Sequence, residues 1–320
     1  MAKQQALQKP PSEHHVLDSI LKLFQIGSAL IKISLLVLFG IFFIVLIAAT
    51  MPHELEKGNV ALIPLTGLIS TGQGGLLEGA GTDSQNVIDN LEDADKNDDI
   101  KAIILEIDSP GGTPVASAEI ANAIKATNKT VISVIRAEGA SGAYWVASAT
   151  DRIFANPMSI TGSIGVTASG LEFGKLLQQY NVTYRRLIAG KYKDAGTQLR
   201  DMTPEEQQLF QKLLDELHTQ FIKTVAENRH LDENYVRNLS TGWVYLGTDA
   251  KELGLVDELG GRKEALKYLE QTLNITATPV EYGGPQSLLD KLAGLTSQAS
   301  YHLGQGIGSS LSSDTKVSLT

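Results

Sequence analysis

The sequence predicts an α/β domain made of successive βαβ units around an open, mostly parallel sheet, with one membrane-spanning helix ahead of it. Three observations carry this. KAIILEID (101–108), apolar on both faces apart from Glu106, and the β-branched TVISVIR (130–136) read as strands covered by helices on each side. Helical segments with recognisable start signals alternate with such strands at short spacing, which predicts right-handed crossovers. Finally, the run ISLLVLFGIFFIVLIAAT (33–50) contains no charged residue. At about 1.5 Å per residue such a run extends roughly 27 Å, enough to cross a hydrocarbon core.

Composition narrows the function classes. The chain has 320 residues, 42% of them apolar, so a sizeable core is available. A formal charge of -9 leaves no basic stripe to neutralise phosphates and argues against a nucleic-acid partner. There is no cysteine, which excludes thiol nucleophiles, Cys-ligated metals and disulfides together.

The N-terminal region is expected to divide into a cytoplasmic stub (1–32) and a transmembrane anchor (33–51). The stub holds Lys3, Lys9, Lys22 and Lys32, whereas the residues just after the span, His53, Glu54, Glu56 and Lys57, are net acidic. By the positive-inside rule the stub stays in the cytoplasm and the rest of the chain lies on the outer, periplasmic side of the cytoplasmic membrane. A cleaved signal peptide is the alternative, but its charged region would be as long as the whole stub and no clear A-x-A site follows. Within the stub, VLDSILKLFQIGSALIK repeats its apolar residues at helical spacing.

After the anchor, NVALIPLTGLI (59–69) reads as the first strand, followed by a glycine-rich loop and a helix N-capped by Asp83 that runs to about Lys96. The strand 101–108 ends in SPGG, a helix from Pro114 to about Ala126 follows, and TVISVIR leads through Gly139, Ala140, Ser141 and Gly142 into another helix. RIFANP, TGSIGV, a helix near 173–180 and a strand VTYRRLI (182–188) bring the chain to the polar loop AGKYKDAG. Thr203, Pro204, Glu205 and Glu206 then spell a capping box, opening an amphipathic helix of about seven turns. The segment 243–261 reads as strand, short helix and turn, a helix from Arg262 to about Thr272 closes the domain, and 284–320 reads as a flexible Ser/Gly/Thr-rich tail.

The chemistry concentrates at Ser141. A strand that feeds a helix through small residues sets this hydroxyl at a helix N-terminus, where free N–H groups favour a developing anion. A plain Ser N-cap is the structural alternative. A nucleophilic serine needs a base. Histidine is the usual one, yet His14, His15, His53 and His302 lie outside the core, leaving His218 and His230 of the long helix as the histidines that folding can deliver. Lysine serves instead when burial disfavours its ammonium. Lys193, among glycines and small residues, permits close approach to a cleft, and Lys191 would point the opposite way if the segment is extended; both also read as solvated loop lysines. The glycines of SPGG, Gly111 and Gly112, together with Gly142, offer N–H groups for a tetrahedral oxyanion, or else form a plain turn or a phosphate cradle. The spacings GxxxxGK[ST] and GxGxxG are absent, which argues against a nucleotide site.

DSPGG, ASGAYW, TGSIGV and GKYKDA, in that order over residues 58–275, resemble the membrane-bound serine-lysine peptidases, the signal peptide peptidase A family that includes the SohB proteins. The resemblance implies a Clp protease and crotonase type of superhelix, with Ser141 as nucleophile and Lys193 as general base. It implies that Ser163 orients the lysine and that Gly112 and Gly142 donate to the oxyanion, with the choice between Gly111 and Gly112 open. It further implies cleavage of released signal peptides and other unfolded hydrophobic segments without a metal or nucleotide. Long family members carry two copies of the fold, and single-copy members assemble as homo-oligomers whose serine and lysine meet across a boundary, so an isolated protomer is expected to be inactive. One departure is Ala143, where the family often has a second glycine. Two rivals are a crotonase-like acyl-CoA enzyme, which needs an adenine site and carboxylate acid/base groups, and a non-catalytic anchored scaffold.

Overall fold

In the computed structural model, which describes residues 27–28, 30–43, 58–72 and 81–283, Glu56–Pro285 form one compact unit. Residues 30–43 are helical (α1), with Leu36, Phe39 and Phe42 among their exposed side chains. Among the described residues no helix is long and apolar enough to cross a membrane; the remainder of the expected span, 44–51, lies outside them, as do the tail 284–320 and most of the stub.

The sheet is built from β1 (Val60–Ser70), β2 (Thr82–Asp83), β3 (Ala102–Gly112), β4 (Thr130–Ala140), β5 (Arg152–Ala155) and β8 (Glu258–Leu259), in the order β2-β1-β3-β4-β5-β8 with every pairing parallel. A short β6 (Ile160–Gly162) adds parallel to the end of β4, and β7 (Val244–Leu246) pairs antiparallel with β6. The strands alternate as parallel strands between helices must. Ala61, Ile63, Leu65, Ile103, Leu105 and Ile107 face one buried cluster, while Val60, Leu62, Ala102, Ile104, Ile132 and Val134 face a second. On the first face lie α2 (Ser84–Lys96), α3 (Pro114–Ala126), α4 (Gly142–Ser148) and part of α6 (Pro204–Arg229); the second is covered by α9 (Arg262–Leu273). Shorter helices α5 (Gly174–Gln179), α7 (Glu233–Leu239) and α8 (Gly247–Glu252) complete the connections.

The start signals operate as expected from their chemistry. Asp83 accepts from Gln85 N–H, and Thr203 and Glu206 form a reciprocal capping box behind Pro204. The 26-residue α6 has two anchorages. Its C-terminal half is seated in the core: Phe221 stacks on Trp145 of α4 with ring centroids 4.8 Å apart, Asn228 donates to Ser148 Oγ at 3.0 Å, and Arg229 grips Asp257 at 2.7 and 2.9 Å. Its N-terminal half leaves Leu209, Leu213 and Leu217 exposed. Phe221→Ala is expected to destabilise the domain by about 3–5 kcal/mol, read from the midpoint of denaturant unfolding, because a fully packed ring would leave a cavity under α4.

Three expectations need correction. Residues 182–188 are not a strand but an exposed irregular segment. Their β-branched and aromatic character suits a strand, yet among the described residues no strand pairs with them, so their backbone groups gain no ladder. The strand expected at 101–108 continues through SPGG, so Gly111 and Gly112 are themselves part of β3, paired with Leu68 and Ile69 of β1. And α9 does not close the domain: β9 (Pro279–Glu281) returns to pair parallel with β1.

Candidate active site

Ser141 stands between the last residue of β4 and the first of α4, with φ 52° and ψ −124°. Non-glycine residues rarely adopt positive φ, and such a conformation costs on the order of 1–3 kcal/mol unless its surroundings enforce it. Here the surroundings do. Ser141 N–H donates to Gly162 O at 2.8 Å, and Trp145 N–H donates to Ser141 O at 3.0 Å as the first bond of α4. The hydroxyl caps no backbone group, so the N-cap alternative fails, and among the described residues the Oγ has no hydrogen-bond partner. The N–H groups of Gly142, Ala143 and Tyr144 precede the first intrahelical bond.

The end of β3 lies directly against this turn. Gly111 has φ 106°, and a Cβ on it would stand 2.6 Å from Gly142 N and 2.9 Å from Ser141 Cβ, so only glycine fits. A Cβ on Gly142 would meet Gly112 N at 3.0 Å and Ser117 Oγ at 2.3 Å. The two candidate donors differ in their bonding. Gly111 N–H is engaged by Ser109 Oγ at 3.1 Å. Thr113 N–H donates to Ile69 O at 2.9 Å, and Gly112 N stands 3.0 Å from where a Cβ on Gly142 would be. Gly112 N thus lies close to Gly142, the residue after Ser141, where backbone N–H groups could serve a developing oxyanion.

Ser163 is adjacent by register, since Ala140 pairs with Gly162 and the two serines follow. It too has positive φ, 51°, with its N–H donating to Trp243 O at 2.9 Å and its hydroxyl to Gly242 O at 3.3 Å. Lys193 is elsewhere. It occupies an exposed turn docked on the start of α6, where Gly196 faces Phe210 so closely that a Cβ would stand 3.1 Å from the ring. Phe210 and Phe221 are separated by about 16 Å along the helix axis at 1.5 Å per residue. Ser141, Ser163, Gly111, Gly112 and Gly142 lie together beside the core end of α6, whereas the Lys193 turn lies against its N-terminal half, and no hydrogen bond joins Ser141 to Lys193 within the single chain.

The lysine turn has an order that the sequence did not reveal. Lys191 Nζ bonds both oxygens of Glu205 at 2.7 Å, and Tyr192 Oη donates to the same carboxylate. Asp194 accepts two bonds of 2.6 Å from Arg186 and longer ones from Arg200, which in turn grips Glu206 at 2.8 and 2.6 Å. The Arg200 guanidinium, followed by Thr203 N–H, pulls the Glu206 carboxyl down to about 2. Lys193 is the one side chain of 191–194 without a partner among the described residues. That distinguishes the two lysines, which spacing alone left alike. Of the histidines, His230 ends α6 in a left-handed C-cap, while His218 carries a buried Nε2 with no hydrogen-bond partner. Among the described residues no cluster of His, Asp and Glu could hold a metal ion.

The profile of peptidase family S49 matches residues 123–276, and that of the Clp proteases matches 78–161, the stretch from before β2 to β6 that contains Ser141. A Methanocaldococcus jannaschii protein provisionally named a protease is 40% identical over 229 residues, covering 71% of this chain and 73% of its own length. An Enterococcus faecium protein provisionally named a signal peptide peptidase is 33% identical over 238 residues, covering 73% of this chain and 69% of its own. The chloroplastic serine protease SPPA of Arabidopsis thaliana is 32% identical over 250 residues, 75% of this chain but 37% of that protein.

Proposed function

The chain belongs to peptidase family S49, as a peptidase of the signal peptide peptidase A and SohB type, and from that premise we propose that it runs on a Ser141–Lys193 dyad completed between neighbouring copies. The observation that carries this reading is the division of the site. A strained, uncapped hydroxyl with two N–H groups beside it sits at one anchorage of α6, and the partnerless lysine sits at the other. Each half lacks what the other holds.

In this reading the neutral amine of Lys193 from one copy takes the proton of Ser141 Oγ in the next, and the oxygen attacks the scissile carbonyl carbon. The resulting oxyanion accepts from Gly112 and Gly142 N–H. Collapse breaks the C–N bond, the leaving amine takes the proton from Lys193, and a water, deprotonated by the same amine, hydrolyses the acyl ester and returns the proton to Ser141. The amine must be neutral to act, which requires the neighbouring copy to shield it, because in the single chain it stands in solvent. Ser163, one register step from the nucleophile, orients the arriving amine. Cleavage by the detergent-solubilised protein is the test: peptide hydrolysis retained in Ser141→Ala or Lys193→Ala would end the dyad.

Substrates are released signal peptides and other unfolded hydrophobic segments, a reading supported by the relative named a signal peptide peptidase. Residues 33–51 hold the chain in the cytoplasmic membrane with the catalytic unit on the outer side; the uncharged run and the lysines before it support this. Alkaline carbonate washing of membranes is expected to leave the full-length protein in the pellet and to release a form lacking residues 1–57. Release of the full-length protein would remove the anchor from the reading.

A further inference from the structure

The turn that carries Lys193 is fastened by carboxylates on both sides, and the fastening on its far side has a structure of its own. Asp194, the next residue, has only 12% of its side chain exposed although the turn is on the surface, and Glu206 has 4%. Arg186 meets Asp194 with two bonds of 2.6 Å, the parallel fork geometry that fixes orientation as well as distance. Arg200 spans the gap from Asp194 to Glu206, and Glu206 is itself held by Thr203 N–H at 2.9 Å as part of the α6 capping box. The chain of contacts therefore runs from the backbone beside Lys193 to the first turn of a helix whose other end is packed on Trp145 and locked to Asp257.

We infer that Asp194 is a positioning residue: its carboxylate, gripped by Arg186 and Arg200, fixes the turn so that Lys193 projects unpartnered from the start of α6 at a set distance from the core. This rests on Lys193 being the base. A turn held only by backbone bonds such as Lys193 N–H to Gly190 O, 3.2 Å, would let the backbone that carries the amine shift, and a displacement of about 1 Å at a reacting group can cost roughly a hundredfold in rate. The ion pairs on the neighbouring residue remove that freedom without touching the amine.

Asp194→Asn keeps the size and removes the charge that both guanidiniums grip. It is expected to lower kcat about ten- to a hundredfold with KM unchanged, in a protein that assembles and melts like the parent. Asp194→Glu should recover most of that loss, because the carboxylate is restored, and Arg186→Gln, which severs one grip of two, should fall between. Lys193→Ala is measured alongside. Activity surviving in Lys193→Ala would overturn the dyad and the positioning role together. An inactive Lys193→Ala with parental kcat in both Asp194→Asn and Arg186→Gln would overturn the positioning role alone, as would a loss confined to KM. Should Asp194→Asn fail to assemble, Arg186→Gln decides by the same criterion.

Discussion

Neither Ser141→Ala nor Lys193→Ala should cleave peptide on its own, each falling by roughly a thousandfold or more, yet the two mixed, dissociated and reassembled should regain about a quarter of parental activity. The fraction follows from the division of the site. If each site takes its hydroxyl from one copy and its amine from the next, random mixing of equal amounts joins an intact serine to an intact lysine at about one boundary in four. If both groups come from one chain, no mixture restores anything. The single chain favours the first outcome: Gly196 beside Phe210 and Trp145 beside Phe221 place the two halves at separate levels of one helix, with no bond between Ser141 and Lys193. Steady-state cleavage of a quenched peptide by the reassembled mixture reads the result directly, and zero recovery from fully reassembled particles would refute sharing.

Gly111→Ala is expected to reduce kcat by about a hundredfold or more while leaving the oligomer assembled and the melting temperature somewhat lowered. The added carbon would stand 2.6 Å from Gly142 N, 2.8 Å from Ala140 O and 2.9 Å from Ser141 Cβ, at a φ of 106° that side chains disfavour. Every one of those neighbours belongs to the nucleophile turn, so the turn must yield, carrying the hydroxyl and the Gly142 N–H away from each other. Comparison of kcat with the thermal midpoint separates this local displacement from general unfolding. An active, stable Gly111→Ala protein would mean that the glycine pair of SPGG has no part in the oxyanion site.

Much of this was legible in the chain because the signals are local. Asp83, Thr203 with Glu206, and Pro114 mark helix starts through contacts within a few residues, and the elements begin where those contacts require. The strand-to-helix turn at Ser141 was legible for a similar reason: small residues between a strand and a helix admit few conformations. What was lost depends on partners far away in sequence or in another strand. Residues 182–188 have the side chains of a strand, but pattern does not reveal whether an unpaired edge is at hand. β9 is too short to announce itself and is held by Asn59 and Val60 N–H donating to Thr278 O, more than two hundred residues away. The Arg186–Asp194–Arg200–Glu206 chain has no periodicity, and charges in a polar loop read as solvated until geometry shows them joined. Positive φ at Ser141 and Ser163 is likewise set by the strand register that pairs Ala140 with Gly162.

The long helix α6 also works as a ruler. Because its C-terminal half is clamped in the core while its first turn holds the lysine turn, the number of residues between Phe210 and Phe221 sets both reach and bearing. Removing one residue there would swing the lysine about 100° around the axis, whereas removing three or four would draw it inward by about 5 Å on nearly the same side. The spacing within this helix therefore fixes how far the Lys193 turn stands from the core, and it can change at constant bearing only in steps of whole turns.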